Sequence, residues 1–495
     1  MIKLEIRKNA YFDSVTLMRI SKDIKSVVGI DEALVGMGTD LNREIALNIG
    51  LYTVEFDAVG ANDFFLAVRC DDIAAWENAQ KRVEKLLNQK AETKESAYYP
   101  FSLEGAVKIE SGLNMALISV PGKFACDVAQ SCLERDINVL LFSDNVTIEE
   151  ERKLKEYAAE RELLMMGPDC GTAIINNVPL AFANVVKKGD IGIVAASGTG
   201  TQEVSSIIDQ LGGGVSQVLG TGGRDLKLEI GGIMMKMGLD ALKNDFATKV
   251  IVLISKPPAK QIATEILNLA KNADKPVVVS FIGGDRQEIE AMGLVAAVSL
   301  EDAAHKAIAL SKGEPIKDYI NFEIGDKNAE ELAKEIAEKF APSQRYVRGL
   351  YTGGTLCDEA MKLINGASIG HTFIDFGDDE FTCGRPHPMI DPSLRAERVI
   401  IEGRDETCAI IMVDCVIGCG SHENPAADLA AAIKAAKADA EANGRYLCVI
   451  AAVCGTENDP QCLSKTRAQL RDAGAVVMPS NAQAARFALR IIDSL

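Results

Sequence analysis

Short runs of consecutive apolar residues, separated by amphipathic or glycine-rich stretches, recur along most of this chain. In the first hundred residues, Lys3 to Arg7, Glu32 to Met37 and Asp63 to Arg69 read as strands. Between them, Ser14 to Val28 places Val15, Met18, Ile24 and Val27 at helical spacing, and Leu41 to Ile49 and Asp72 to Leu87 are further amphipathic helices. The pattern predicts a small α+β domain of ferredoxin-like kind over residues 1–95. The polar stretch Asn88 to Ser96 reads as its linker.

From about Asn114 the pattern changes to strands that are apolar throughout: Ala116 to Val120, Val139 to Ser143, Leu163 to Gly167, Ile191 to Ala196, Lys249 to Ser255 and Pro276 to Ile282. Parallel strands covered by helices on both faces have this character. A charged helix, Ile148 to Glu162, lies between two of them, and a break falls near Phe182 to Gly189. After a polar helical segment, Asn328 to Lys339, the same design restarts. Its strands are Tyr346 to Tyr351, His371 to Phe376, Ala409 to Ile417, Tyr446 to Val453 and Ala475 to Met478. Its helices include Ala426 to Ala442 and Ala482 to Ile492. No tandem repeat of 20–50 residues is visible.

The 495 residues correspond to about three domains at the usual domain size. With 53 basic and 71 acidic residues the net charge is −18, which argues against a nucleic-acid or anionic-membrane surface. A single local pocket could still bind a small anion. The twelve cysteines are irregularly spaced and form no CxxC pair, so a zinc ribbon or redox motif is unsupported and buried free thiols are expected. The N-terminus lacks a signal-peptide core, and no apolar run reaches the roughly 18 residues of a membrane span. The expected location is the cytoplasm.

Candidate chemistry sits where strands end in glycine-rich loops. In IGIVAASGTGTQE, Ser197, Gly198, Thr199, Gly200 and Thr201 join a buried strand to a helix expected to begin near Thr201. Glycine amides, a helix N-terminus and hydroxyls suit a phosphate or carboxylate, although one capping Ser would also account for the turn. The run lacks the lysine of a Walker A loop. Gly222, Gly223 and Arg224 form a second cluster, in which Arg224 offers a planar bidentate donor or simply a surface pair with Asp225. Lys256 ends another strand, at the sheet edge where open α/β folds place ligands. In the last block, Gly353, Gly354 and Thr355 follow one strand, and Gly418, Cys419 and Gly420 follow another; both loops could present amides to an anion. Between them, GRPHPMID carries Arg385, an anion ligand, and His387, a general acid or base near neutral pH. His305 lies on a helix and reads as structural, His371 begins a strand and His422 closes the second glycine loop. The acidic run IDFGDDEF around Asp375 reads as a solvated turn or a hard-cation site, magnesium being the natural ion. No metal ligand is assigned and no cofactor is certain.

The runs GPDCGT at 167–172, SGT at 197–199, Gly222-Gly223 and KPVVVSFIGG at 275–284 resemble the α subunit of succinyl-CoA synthetase, in its order and approximate spacing. The block from Asp375 through Gly420 is similar to the carboxyl-terminal domain of that enzyme's β subunit. More closely, FSDNVT, MGPDCGT, PLAFANV, ASGTG, GGRDL, SKPPA, LYTGGTL, GRPHPMIDP and DPQC resemble the FdrA proteins, which carry an acyl-CoA-synthetase-like name. That resemblance spans nearly the whole chain. It implies an α/β fold: the N-terminal α+β domain, a CoA-binding-like Rossmann domain over 110–185, and two flavodoxin-like ligase domains over 188–315 and 340–495.

Leu294 stands where the synthetase carries its phosphorylated histidine, and an apolar side chain cannot carry a phosphoryl group. Ser255-Lys256-Pro-Pro replaces the family's GEIGG, and the CoA fingerprint and an ATP-grasp domain are missing from the sequence. The resemblance implies instead an anion site between the Ser197 and Gly418 loops. It further implies a subunit of an oxamate carbamoyltransferase in anaerobic allantoin catabolism, joining carbamoyl phosphate and oxamate into oxalurate and phosphate with partner subunits. In that reading the loops hold phosphate, Arg224 or Arg385 holds the acceptor carboxylate, His387 takes the proton and Lys256 neutralises departing phosphate. An NDP-forming acyl-CoA synthetase and a non-catalytic assembly or regulatory subunit are the alternatives.

Overall fold

The computed structural model describes all residues of the chain except 9, 11, 13, 61–62, 90–99, 101, 365–369 and 383–385. The linker expected over 88–96 therefore falls largely outside the described residues. The chain divides into two compact units, one centred on Met1–Glu110 and the other on Ser111–Phe381 with His387–Leu495.

In the first unit, the strand Phe64–Cys70 is the centre of an antiparallel sheet, flanked by Ile2–Arg7 and Ile30–Met37. Its sequence FFLAVRC is apolar on both faces, so both faces must be covered. Phe64, Leu66 and Val68 pack with Leu17, Ile20 and Ile24 of the helix Ser14–Lys25 and with Ala79 and Val83 of the helix Ile73–Gln89. Phe65 and Ala67 pack the other way, against Ala46, Leu51 and Phe56.

The second unit contains three sheets, and two of them share one topology. Lys188–Ala196, Val215–Gly220, Val250–Ser255, Val277–Phe281 and Val295–Ala296 are all parallel; numbered from first to last they lie in the order 2-1-3-4-5. Tyr346–Tyr351, Thr372–Asp375, Cys408–Val416, Cys448–Cys454 and Val476–Met478 repeat that order. It is the flavodoxin-like winding, which places its switch point between the first and third strands of each sheet. The third sheet is small and parallel, formed by Met115–Ile118, Asn138–Leu141 and Met165–Met166.

Three local departures from the sequence reading matter. The strand expected over Leu163 to Gly167 is reduced to Met165–Met166. An unanticipated hairpin, Thr172–Ile175 with Val178–Ala181, adds two antiparallel strands to the first flavodoxin-like sheet. Its turn is Asn176-Asn177, with both residues at positive φ, a turn that Asn tolerates but advertises less clearly than Asn-Gly. The helix Ser393–Gly403 was also not anticipated. Among the described residues, no helix is long and apolar enough to cross a membrane, and no group of three or more His, Cys, Asp or Glu side chains converges as a metal site would require.

A candidate anion site at two facing helix N-termini

The first strand of each flavodoxin-like sheet runs directly into a helix, and the two helix starts meet. Ser197 caps the helix Gly198–Gln210 and accepts a hydrogen bond from the Gly200 amide at 3.0 Å. Gly353 caps the helix Gly354–Leu363. Ser197 Oγ and Thr355 Oγ1 are 2.7 Å apart. In the reciprocal contact, a methyl group on Gly353 would lie 2.7 Å from Thr199 Oγ1. Residues 197 and 353 occupy the same position in their helices, as do 199 and 355, so the two contacts are related by an approximate two-fold. The amides of Gly198, Thr199, Gly354 and Thr355 lie in first turns, where no intrahelical acceptor exists. Two helix N-termini thus direct positive potential toward one locus.

The helix starts at Gly198 rather than near Thr201, because Ser197 provides the cap that the sequence reading assigned to the loop. Ser197 Oγ and Thr201 Oγ1 are consequently used within the protein, Thr201 donating to the Ser197 carbonyl. Gly198 and Thr199 are the accessible members of that run.

On the second sheet, the loop is held from below by Asp414. This fully buried carboxylate accepts from the Thr352 amide at 2.8 Å, the Thr352 hydroxyl at 2.9 Å and the Gly353 amide at 2.9 Å, and it pairs with Arg395 at 2.6 Å. Burial raises its pKa, and Arg395 is the largest opposing influence. The Gly353 amide is therefore not available to a ligand.

Lys256 and Asp375 complete the locus. Lys256 leaves the strand Val250–Ser255, and its Nζ lies 4.0 Å from Asp375 Oδ2 and 3.7 Å from Asp358 Oδ2. A methyl group on Gly354 would fall 2.2 Å from Asp375 Oδ2 and 2.4 Å from Lys256 Nζ, so both groups lie over the first turn of that helix. Neither Asp375 nor Asp414 was assigned to the site from sequence. The available signal was position: Asp375 closes the strand Thr372–Asp375, beside the end of Tyr346–Tyr351.

Other expected site residues lie elsewhere or are engaged. The convergence of the Ser197 and Gly418 loops on one anion is corrected to Ser197 with Gly353–Thr355. The Gly418 amide donates to Gln461 at 3.0 Å, and the Cys419 amide donates to the Ala183 carbonyl at 2.8 Å. Gly418 and Gly420 are glycines because chain passes over them: a methyl group would meet Ala183 O at 2.8 Å and Phe182 Cδ1 at 3.0 Å, respectively. Asn184 donates to Ile417 O and to Asp459, so residues 182–185 cover the carboxyl end of the strand Cys408–Val416. Gly222, at φ 85°, would place a methyl group 2.4 Å from Pro168 O, and Gly223 lies beside Asp169. Arg224 is committed to Glu151 at 2.9 Å and to Val146 O at 2.8 Å, which removes it as an acceptor-binding group. Arg385 lies outside the described residues.

His387 lies near the locus but is a poor base. Its Nδ1 accepts from the Met389 amide at 3.2 Å, which leaves the ring proton on Nε2. Desolvation lowers its pKa to about 4, so it holds no second proton near neutral pH.

Beneath the two helix starts, Glu203 and Glu359 are equally far from their caps and both buried. Glu203 accepts from the Asn481 amide, and Glu359 accepts from Asn481 Nδ2 at 2.8 Å and from the Leu300 amide. Burial raises the Glu203 pKa to about 7, against the backbone hydrogen bond from Asn481. A carboxyl that binds its proton more tightly when folded costs stability as pH rises from the unfolded value through about 7. The Glu203 contribution to stability should therefore fall between about pH 4.5 and 7 and stay level above that. Glu203→Gln should flatten that fall, recovering up to about 3 kcal/mol at pH 9 in chemical denaturation. Parallel pH curves for the two proteins would exclude this role.

Three family models match the chain. Residues 350–491 match the CoA-ligase family, 186–283 the CoA binding domain, and 1–100 the family described as AllF, heavy metal-associated domain. The CoA-binding match thus falls downstream of residues 110–185, to which the sequence resemblance assigns that role. Over 513 aligned residues the chain is 42% identical to "Uncharacterized protein YahF" of Escherichia coli (strain K12), covering 99% of this chain and 98% of that protein. The chain belongs to the YahF family. It is also 28% identical over 181 residues to the succinate–CoA ligase [ADP-forming] subunit alpha of Staphylococcus epidermidis, spanning 36% of this chain and 58% of that subunit. A solved dinucleotide-forming acetyl-coenzyme A synthetase 1 of Ca. Korarchaeum cryptofilum covers 80% of the chain and 87% of its own at 15% identity, with a TM-score of 0.35. Within this member of the YahF family, residues 350–491 are thus similar to the CoA-ligase family and residues 186–283 to the CoA binding domain. Positions 1–100 contain no histidine and one cysteine, Cys70, which is buried, so thiolate and imidazole donors for a soft metal are limited to that residue there.

Proposed function

We infer that the chain is a subunit of acyl-CoA-synthetase type that moves an acyl group between phosphate and a nucleophile, with the phosphate held between the first turns Gly198–Thr199 and Gly354–Thr355. The observation that carries this reading is the reciprocal contact of the two helix starts, Ser197 with Thr355 and Gly353 with Thr199. Lys256 beside that locus adds a cation suited to a phosphate dianion. With coenzyme A as nucleophile, the reaction is the phosphate half of acyl-CoA synthesis: acyl-CoA and phosphate exchange with acyl phosphate and the free thiol.

A second nucleophile fits the same locus. Leu294, at the position of the synthetase's phosphohistidine, is a buried core residue packed with Ile289 and Ala296. A phosphoryl group then arrives on the substrate rather than on this residue. The FdrA-like transfer of a carbamoyl group from carbamoyl phosphate to oxamate, with partner subunits, meets that requirement.

Isothermal titration of the full chain with inorganic phosphate tests the site. Saturable binding is expected, weakened at least tenfold in Gly354→Ala, whose methyl group displaces Lys256 and Asp375 from the helix start. No binding to wild type, or equal binding to the variant, would refute the reading. Assays of acetyl phosphate with coenzyme A and of carbamoyl phosphate with oxamate then separate the two nucleophiles.

A further inference from the structure

Resting on that reading of the site, we propose that Asp375, with Lys256 as its charge partner, is the proton-accepting catalytic residue of the acyl transfer, and that His387 is not. Geometry is the first support. Asp375 closes its strand beside the end of Tyr346–Tyr351, at the sheet edge that leads into the phosphate-facing helix. Its Oδ1 accepts from the Gly377 amide at 2.9 Å, which fixes the plane of the carboxylate. Its Oδ2 is the oxygen that lies over Gly354 and faces Lys256 Nζ at 4.0 Å. One oxygen is thus used to orient the group while the other is directed at the locus, the arrangement a general base requires.

Among the described residues, the charged neighbours come from four elements. Lys256 comes from the end of Val250–Ser255, Asp358 from the helix Gly354–Leu363, Asp414 from Cys408–Val416 and Asp378 from the same turn as Asp375. His387 Nε2 lies on the Oδ1 side: a methyl group on Gly377 would stand 2.8 Å from Nε2 and 3.1 Å from Oδ1. The ring thus lies on the side of Asp375 away from Lys256 and the phosphate-facing oxygen. Burial raises the Asp375 carboxyl to about 6, with Lys256 the largest force holding it down. A base in that range exchanges protons near neutral pH, whereas the His387 imidazole, lowered to about 4, does not.

The step balances without a further reactant. The nucleophile, a thiol or an amide N–H, attacks the acyl carbon of the acyl phosphate. A new S–C or N–C bond forms and the C–O bond to phosphate breaks. Phosphate leaves with the bonding electron pair toward Lys256 and the two helix starts. The nucleophile's proton passes to Asp375 Oδ2 and returns to solvent.

Two measurements on the full chain test the proposal, and they fail separately from the site reading. First, phosphate titrations at pH 8.5 in buffers of differing ionisation enthalpy count protons taken up. Bringing a dianion beside Asp375 should draw in a fraction of a proton in wild type and none in Asp375→Asn. Second, with whichever acyl transfer the chain catalyses, Asp375→Asn should lower kcat at least a hundredfold with KM within about threefold, and abolish the acid limb of the pH profile. Lys256→Met changes a half-exposed side chain and keeps the test alive if the Asn variant misfolds; it should move the acid limb upward. Phosphate binding and turnover that persist in Asp375→Asn with unchanged proton uptake and pH profile would overturn this proposal and leave the site reading standing. Absence of phosphate binding to wild type would overturn both.

Discussion

Replacing Lys155 by alanine is expected to destabilise the chain by about 3–5 kcal/mol. Its side chain has no exposure, and Nζ lies 2.8 Å from each of Glu151 Oε1, Asp225 Oδ1 and Thr221 O. Removing the ammonium leaves two buried carboxylates without their shared counter-charge. Arg224 still reaches Glu151, and the Met234 and Met235 amides still donate to Asp225, so neither acid is wholly abandoned. The cluster joins the helix Ile148–Glu160 to the loop after Val215–Gly220, so its loss loosens the small parallel sheet from the first flavodoxin-like sheet. Urea denaturation should show the midpoint falling with little change in slope. A change below about 1 kcal/mol would mean that water or repacking replaces the lysine.

Asp414→Ala should cost a similar amount, again about 3–5 kcal/mol, and should also damage the site. The substitution strands the buried Arg395 and two backbone amides, Thr352 and Gly353, each of which needs a partner when buried. The loop that starts the helix Gly354–Leu363 would then lose its fixed path. Phosphate affinity should fall by at least tenfold at temperatures where the variant is still folded by circular dichroism. Lys155→Ala, whose side chain bonds Glu151, Asp225 and Thr221 and neither helix start, should leave that affinity within about threefold of wild type. If both variants weaken binding equally, Asp414 acts only through global stability.

The contrast between the two glycine loops of the last domain explains why site residues were only partly legible. Gly353-Gly354-Thr355 and Gly418-Cys419-Gly420 look alike in sequence, since both follow a buried strand and both precede a helix. In the fold, the first faces another helix start, while the second is covered by residues 182–185. Glycine makes room for the side chains of Thr199, Asp375 and Lys256 in one case and for the chain's own backbone at residues 181–183 in the other. Nothing local distinguishes them, because the covering segment lies more than two hundred residues earlier in the chain. Arg224 misleads for a related reason. A guanidinium beside glycines suggests an anion ligand, but the anion it meets is Glu151.

What the sequence determined by itself follows from period and run length. Continuous apolar runs of five to nine residues need cover on both faces, which parallel strands under two helical layers provide, as does the antiparallel strand Phe64–Cys70 in its own domain. Amphipathic stretches between them can only be the covering helices, so two doubly wound sheets and a small α+β domain were readable from pattern alone. The tertiary structure alone decided which strand ends meet. Helix starts at 198 and 354 meet through Ser197 with Thr355 and Gly353 with Thr199, and Lys256 and Asp375 are brought over one of them. Electrostatics at such a locus depends on distance and burial, quantities that order along the chain does not encode.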